Sequence, residues 1–219
     1  MYDVRLYIRK TGDMKYVSHL DMFRLMQRAV RRAGIPLWYT EGFNPHPYIS
    51  FLQALPLGVE SEREPCDIKI VDDMSTDEIM NRLNATMPGE FRIVAAVKPR
   101  NKPSQIEACE YELTFSPDVI TAQKLGQALA SGTLSCEKSG KAGKKKEKRT
   151  VSVSDSIFSY SVSENGGTVT LKVTVAAGTS FNLSPSNLLE GISGFSGSQI
   201  TPLNVKRISF LCADGSYFE

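Results

Sequence analysis

With 219 residues, 41% hydrophobic side chains and a formal net charge of only +2, the chain can bury a core but is no uniformly cationic nucleic-acid binder. Any anion-binding surface must come from local segregation of charge. No run reaches the roughly 18 apolar residues that a membrane span needs, and Met1-Tyr2-Asp3-Val4-Arg5 lacks a basic and apolar leader, so a cytoplasmic protein with no membrane partner is expected.

Residues 2 to 9 alternate, with Tyr2, Val4, Leu6 and Ile8 on one face and Asp3, Arg5, Tyr7 and Arg9 on the other, as a half-buried strand does. The pattern then predicts a helix over about 19–33, extended material at 37–40 and 49–52, a strand near 66–71, a helix over 76–85 and a strand over 91–97. Pro99 and Pro103 with polar residues between them mark a linker, after which the order recurs. A strand is predicted at 111–115, a helix over 117–130 with Pro117 in its first turn, and an extended run from Leu134. Strands at 157–162 and 169–175 flank Asn165-Gly166-Gly167, a hairpin signature because these residues tolerate positive φ. A short helix at 185–190 and a strand at 205–211 close the chain. The expected class is therefore α+β: two tandem ferredoxin-like (βαββαβ) units with antiparallel sheets, spanning 1–103 and 104–219. The lysine-rich segment 138–149 has hardly an apolar atom and is expected to be a mobile loop, either a solvated connection or an arm that tracks phosphates.

Cys66, Cys109, Cys136 and Cys212 are far apart and form no C-x-x-C pair, so no metal or cofactor is expected of them. Each aligns with the apolar face of its strand and reads as a small buried hydrophobe.

Positive charge concentrates on the first helix. Ser18-His19-Leu20-Asp21 has the form of a capping box, with Asp21 as a short variant of the usual glutamate. Advancing by about 100° per residue puts Leu20, Phe23, Met26, Val30 and Ala33 on one side and Arg24, Arg28, Arg31 and Arg32 on another, with Gly34 and Pro36 as the stop. Most charged helix faces are simply solvated, but four arginines with no lysine among them and one nearby acid favour phosphate, which the planar guanidinium fork suits. Lys15 extends the patch. Arg5, Tyr7 and Arg9 add to it if their sheet face is open, as in RNA-recognition domains; Glu110 and Glu112, at the equivalent places in the second unit, offer an alternative use of that face. In Gly42-Phe43-Asn44-Pro45-His46-Pro47 the prolines restrict their own and the preceding residues, so Asn44 and His46 are presented at low entropic cost.

His19 and His46 are the two histidines; with Asp21, Lys15, Tyr16 and Tyr48 they are the candidates for acid–base catalysis without a metal. There is no phosphate-binding loop, H-E-x-x-H, G-x-S-x-G or dinucleotide fingerprint.

The segments Lys15-Tyr16-Val17-Ser18-His19-Leu20-Asp21, Arg28 to Pro36, Gly42 to Pro47 and Leu55-Pro56-Leu57-Gly58 together resemble the bacterial radical-SAM-linked protein family, a domain of unknown function fused to, or encoded beside, a radical-SAM protein with a cobalamin-binding-type domain. The resemblance implies a radical-SAM partner that holds its own iron-sulfur cluster; with no such domain in these 219 residues, the chain is expected to act with it in trans. The tandem architecture is also similar in outline to CRISPR repeat-cleaving RNA endonucleases, a likeness of fold that transfers no site. The expected function is a non-catalytic RNA-binding or substrate-presenting accessory to a radical-SAM enzyme in RNA modification or maturation. Lys15, Arg24, Arg28, Arg31 and Arg32 contact phosphates on this reading, and Asn44 and His46 make more specific contacts. The alternatives are a metal-independent RNA-processing endonuclease using His19 or His46, and a protein adaptor whose arginines meet an acidic partner.

Overall fold

The computed structural model describes residues 1–142, 145–178 and 181–219, with the backbone alone over 139–142 and 145–147. The chain is mixed α+β and divides into two units: Met1–Pro103 with Arg207–Ser209 and Tyr217–Glu219, and Ser104–Lys206 with Phe210–Ser216.

In the first unit the order is β1 (Tyr2–Lys10), α1 (His19–Arg32), β2 (Ile49–Phe51), β3 (Glu60–Ile70), α2 (Thr76–Thr86) and β4 (Phe91–Val97). The sheet runs β4-β1-β3 with β2 on β3, and each of these pairs is antiparallel. Leu6 stands opposite Cys66 and Ile8 opposite Glu64, so the even-numbered residues of both strands share one face. That face packs against the helices: Val4, Leu6, Ile8, Cys66, Ile68 and Ile70 meet Met22, Met26, Val30, Ile79 and Leu83 in one core. Burying each such side chain stabilises the fold by about 1.5–3 kcal/mol. Segment 37–40 forms isolated bridges, Leu37 to Ile70 and Tyr39 to Pro47, with Trp38 N donating to Lys69 O, Tyr48 N to Trp38 O and Thr40 N to His46 O around the intervening loop.

The opposite face of this sheet is closed at Arg5 and Tyr7 and open at Asp3 and Arg9. Arg5 and Tyr7 are buried; Arg5 forms a bidentate pair with Asp67 at 2.7 and 2.9 Å and lies 4.3 Å from the Phe218 ring centroid. The Tyr7 hydroxyl donates to the Phe218 carbonyl. The expectation that Arg5 and Tyr7 face open solvent for RNA is thus corrected: residues 217–219 cover them, and only Arg9 of the three is exposed.

In the second unit the order is β5 (Ala108–Phe115), α3 (Ala122–Ala130), β6 (Ser135–Ala142), β7 (Lys145–Ser152), β8 (Ile157–Asn165), β9 (Thr168–Ala176), α4 (Pro185–Ser196) and β10 (Asn204–Leu211). The sheet order is β10-β5-β9-β8, and β6 pairs with β7 alone. The segment 138–149, expected as a loop, is therefore strand on both sides of residues 143–144, which lie outside the described residues. Its base is anchored by buried Leu134, Cys136 and Val153, which lets the strands pair despite their polar sequence. Glu112 meets Lys172 at 3.9 Å within the same unit. The turn between β8 and β9 has Gly166 and Gly167 at φ 56° and 73°. Helix α3 begins later than Pro117, because the Thr121 hydroxyl accepts from Lys124 N, while Val119 N turns back to Ser116 O. Ser18, Ser75 and Ser184 cap the other three α-helices found among the described residues in the same way, each cap contributing about 1 kcal/mol.

Candidate nucleic-acid interface

Helix α1 starts where Ser18, in extended geometry at φ −66° and ψ 160°, accepts from Asp21 N. The carboxylate of Asp21 does not return to the Ser18 amide as a longer side chain would. It accepts from the Ser18 hydroxyl at 2.7 Å and from Arg24 Nη1 at 2.9 Å. The Ser18 hydroxyl first, and Arg24 second, hold the Asp21 carboxyl below its ordinary value, so it is ionised at neutral pH.

The buried stripe of α1 is Met22, Met26, Ala29 and Val30. Leu20, expected inside, is 66% exposed; the stripe begins two residues later, at Met22. With that face inward, Arg24, Arg28 and Arg32 line a groove of about 640 Å³ whose other wall is Ala85, Thr86, Met87 and Pro88 at the end of α2. Leu25 and Ala29 lie between the arginines and that wall. Arg31 borders a second depression of about 280 Å³ together with Arg24, Gln27 and Arg28. All four arginines are exposed. Arg24 is paired with Asp21, whereas Arg28, Arg31 and Arg32 have no ion pair among the described residues. The result is a one-sided cationic ridge next to an apolar floor.

Lys15 does not line this groove. It sits in a short 3-10 turn, Gly12–Tyr16, with its ammonium 5.4 Å from the Tyr16 ring centroid and its carbonyl accepting from Gly58 N at 2.9 Å. That bond joins the Lys15–Asp21 and Leu55–Gly58 motifs.

His19 is the first residue of α1. Its ring meets Phe51 edge-on, centroids 5.5 Å apart at 72°, and its Nδ1 is buried with no hydrogen-bond partner. His46 is exposed, with Nδ1 3.1 Å from Thr40 Oγ1 and 3.2 Å from Asn44 O. Its backbone amide donates to Thr40 Oγ1, and its carbonyl accepts from Thr40 N at 2.9 Å. The loop is thus braced across its neck by one threonine, with Asn44 and His46 exposed at its rim and Phe43 fully exposed beside them. Among the described residues no hydrogen bond or ring contact joins His19 to His46, so the two candidate acid–base groups are held by different neighbours.

Sequence reading missed a buried ionic cluster beneath the start of α1. Glu64 accepts from Arg207 Nε and Nη2 at 2.7 Å each and from the Ser61 hydroxyl at 2.7 Å. Lys10, 1% exposed, donates to the Val17 and Lys15 carbonyls at 2.9 and 3.4 Å. Burial lowers the affinity of its ammonium for a proton, and nearby Glu64 partly opposes this. Strand parity held the signal, since Lys10 and Glu64 share the inward face with Ile8 and Cys66. All four cysteines are free and buried, and burial pushes the Cys66 thiol well up. Among the described residues no group of three or more His, Cys, Asp or Glu is placed to hold a metal, and no helix is long and apolar enough to cross a membrane.

The fold and groove define a mixed α+β protein with a basic, partly apolar surface on its first unit. The chain belongs to the family described as an uncharacterized protein conserved in bacteria (DUF2344), whose model matches residues 4–185. No curated protein matches the sequence. Among solved structures it is similar to a chain of a Cbf5-Nop10-Gar1 complex, with TM-score 0.53 and 12% identity over 94% of this chain and 48% of that one. It is also similar to a chain of an archaeal box H/ACA sRNP Nop10-Cbf5 complex, with TM-score 0.49 and 12% identity over 94% and 47%. The chain spans about half the length of these structural relatives, and at 12% identity the likeness to the first is one of fold alone.

Proposed function

We propose that this chain is a non-catalytic RNA-binding or substrate-presenting accessory, acting in trans with a radical-SAM enzyme in RNA modification or maturation in the cytoplasm. The observation that carries the RNA reading is the ridge of Arg28, Arg31 and Arg32, exposed and in no ion pair among the described residues, beside a groove in which Asp21 is engaged by Arg24. Arg31 and Arg32 sit in the last turn of α1, where the helix dipole favours a cation by only about 0.3–1 kcal/mol, whereas phosphate oxygens satisfy the fork geometry of the guanidinium groups along the ridge. Arg24, released from Asp21, and Lys15 extend the contact; Asn44 and His46 supply polar contacts from a braced loop. The radical-SAM partnership is supported by the motif resemblance alone. A tandem ferredoxin-like description is supported by topology: β4-β1-β3-β2 and β10-β5-β9-β8 are the same order when the β6–β7 hairpin is counted as an insertion.

Ultraviolet crosslinking of the protein to cellular RNA, followed by peptide mapping, tests the reading. Crosslinked nucleotides are expected on peptides from α1 and the Gly42–Pro47 loop; crosslinks confined to other segments contradict it. The second reading is metal-independent RNA cleavage, favoured by the unpartnered Nδ1 of His19. It requires discrete RNA products in chelator that vanish in His19→Ala or His46→Ala, and it fails if no products form.

A further inference from the structure

We infer that the groove between α1 and the end of α2 holds one unpaired nucleotide of an RNA strand, an assignment that rests on the RNA-binding reading above. Arg24, Arg28 and Arg32 follow one another at intervals of four residues, which is roughly 6 Å of helix rise per step. They make a single row of cations along one wall. A single strand presents phosphates in one row; a duplex presents two, separated by a groove of about 6–12 Å. The site therefore matches one strand.

The rest of the groove is not built for phosphate. Leu25, Ala29 and Met87 form one apolar patch, with Ala29 and Met87 buried at 3% and 8% exposure. An amphipathic peptide helix needs several anchor positions along successive turns, whereas one patch of this size fits one flat ring. Ala85 and Thr86 are the last two residues of α2, and their main-chain carbonyls accept no hydrogen bond among the described residues. Such carbonyls take N–H donors. Cations on one wall, where the one carboxylate, Asp21, is engaged by Arg24, an apolar floor and open acceptors at the far wall together match the phosphate, ring and amino groups of a nucleotide. The volume of about 640 Å³ lies within the usual range of ligand sites, roughly 300–1,000 Å³.

The test uses the full chain labelled at its methionine methyl groups, of which there are seven, and a short labelled oligoribonucleotide, its duplex with the complement, and polyglutamate. The strand is expected to bind about tenfold or more tighter than the duplex, the scale of a base stacked on protein side chains, and to shift the Met87 methyl resonance. Arg28→Ala should weaken the strand and bring it towards the duplex. RNA that binds as strand and duplex alike, leaving Met87 unmoved, overturns the groove assignment while the RNA reading stands. If neither RNA binds, the RNA reading fails with it, and polyglutamate shifting Met87 in that case identifies the site as one for an acidic protein.

Discussion

The Tyr7 hydroxyl donates to the Phe218 carbonyl at 2.7 Å across 211 residues of chain, and the Phe218 ring caps Arg5 from the same side. Arg5 and Tyr7, on the face of the first sheet that alternation marks as polar, are therefore interior, while Asp3 and Arg9 of the same face stay exposed. Phe218→Ala is expected to destabilise the protein by about 3–5 kcal/mol, read from the urea midpoint. Burial raises the Tyr7 hydroxyl above its ordinary 10.0 while Arg5 and Arg63 pull it down. Tyr7 thus contributes stability that is present below pH 10.0 and lost as pH rises through its higher folded value. The variant should lose that alkaline sensitivity, visible as earlier phenolate absorbance.

Much of the first unit is legible in its sequence, and the reasons differ by element. Alternation placed β1, and Ser18 with Asp21 and the following apolar spacing placed α1, because cap and periodicity are local. Phe91–Val97 was readable as a strand for the same reason. Arg5 and Tyr7 were misread because the residues that cover them come from the far end of the chain, and no local pattern announces a contact at that separation. Lys138 to Arg149 lacks apolar alternation and so carries no local strand signal, yet the backbone pairs there above a base set by Leu134, Cys136 and Val153. The arginines of α1 were legible as a cluster, whereas the opposite wall of their groove, Ala85 to Pro88, was not, since only packing of α1 against α2 brings it there.

The Glu64–Arg207 pair is buried at both ends, with side chains 1% and 3% exposed. Removing its carboxylate leaves the guanidinium charge uncompensated at that contact, so Glu64→Leu is expected to cost about 3–5 kcal/mol. The double variant Glu64→Leu, Arg207→Met should recover a large part of that loss, because the desolvation of both ions is avoided together. Chemical denaturation of the four proteins of the cycle measures the coupling.

The cap of α1 gives a prediction of smaller size and opposite pH sense. Ser18→Ala should destabilise by about 1 kcal/mol. The Asp21 carboxyl is held below its ordinary value of 3.8 by Ser18 and Arg24, so its contribution is present above pH 3.8 and lost as pH falls through the lower folded value. Thermal melts between neutral and acid pH should show this loss in the parent protein and not in Asp21→Asn.

The most direct measurement of the central claim is the salt dependence of RNA affinity for the parent protein and for Arg28→Glu, Arg31→Glu. Each phosphate contacted on a single strand contributes about 0.7 to the slope of log affinity against log salt. The parent should bind RNA with affinity that falls steeply as salt rises, and the double variant should bind more weakly with a slope flatter by about 1.4. Binding that ignores salt, or a double variant that binds as the parent does, contradicts the assignment of α1 as a phosphate-contacting helix.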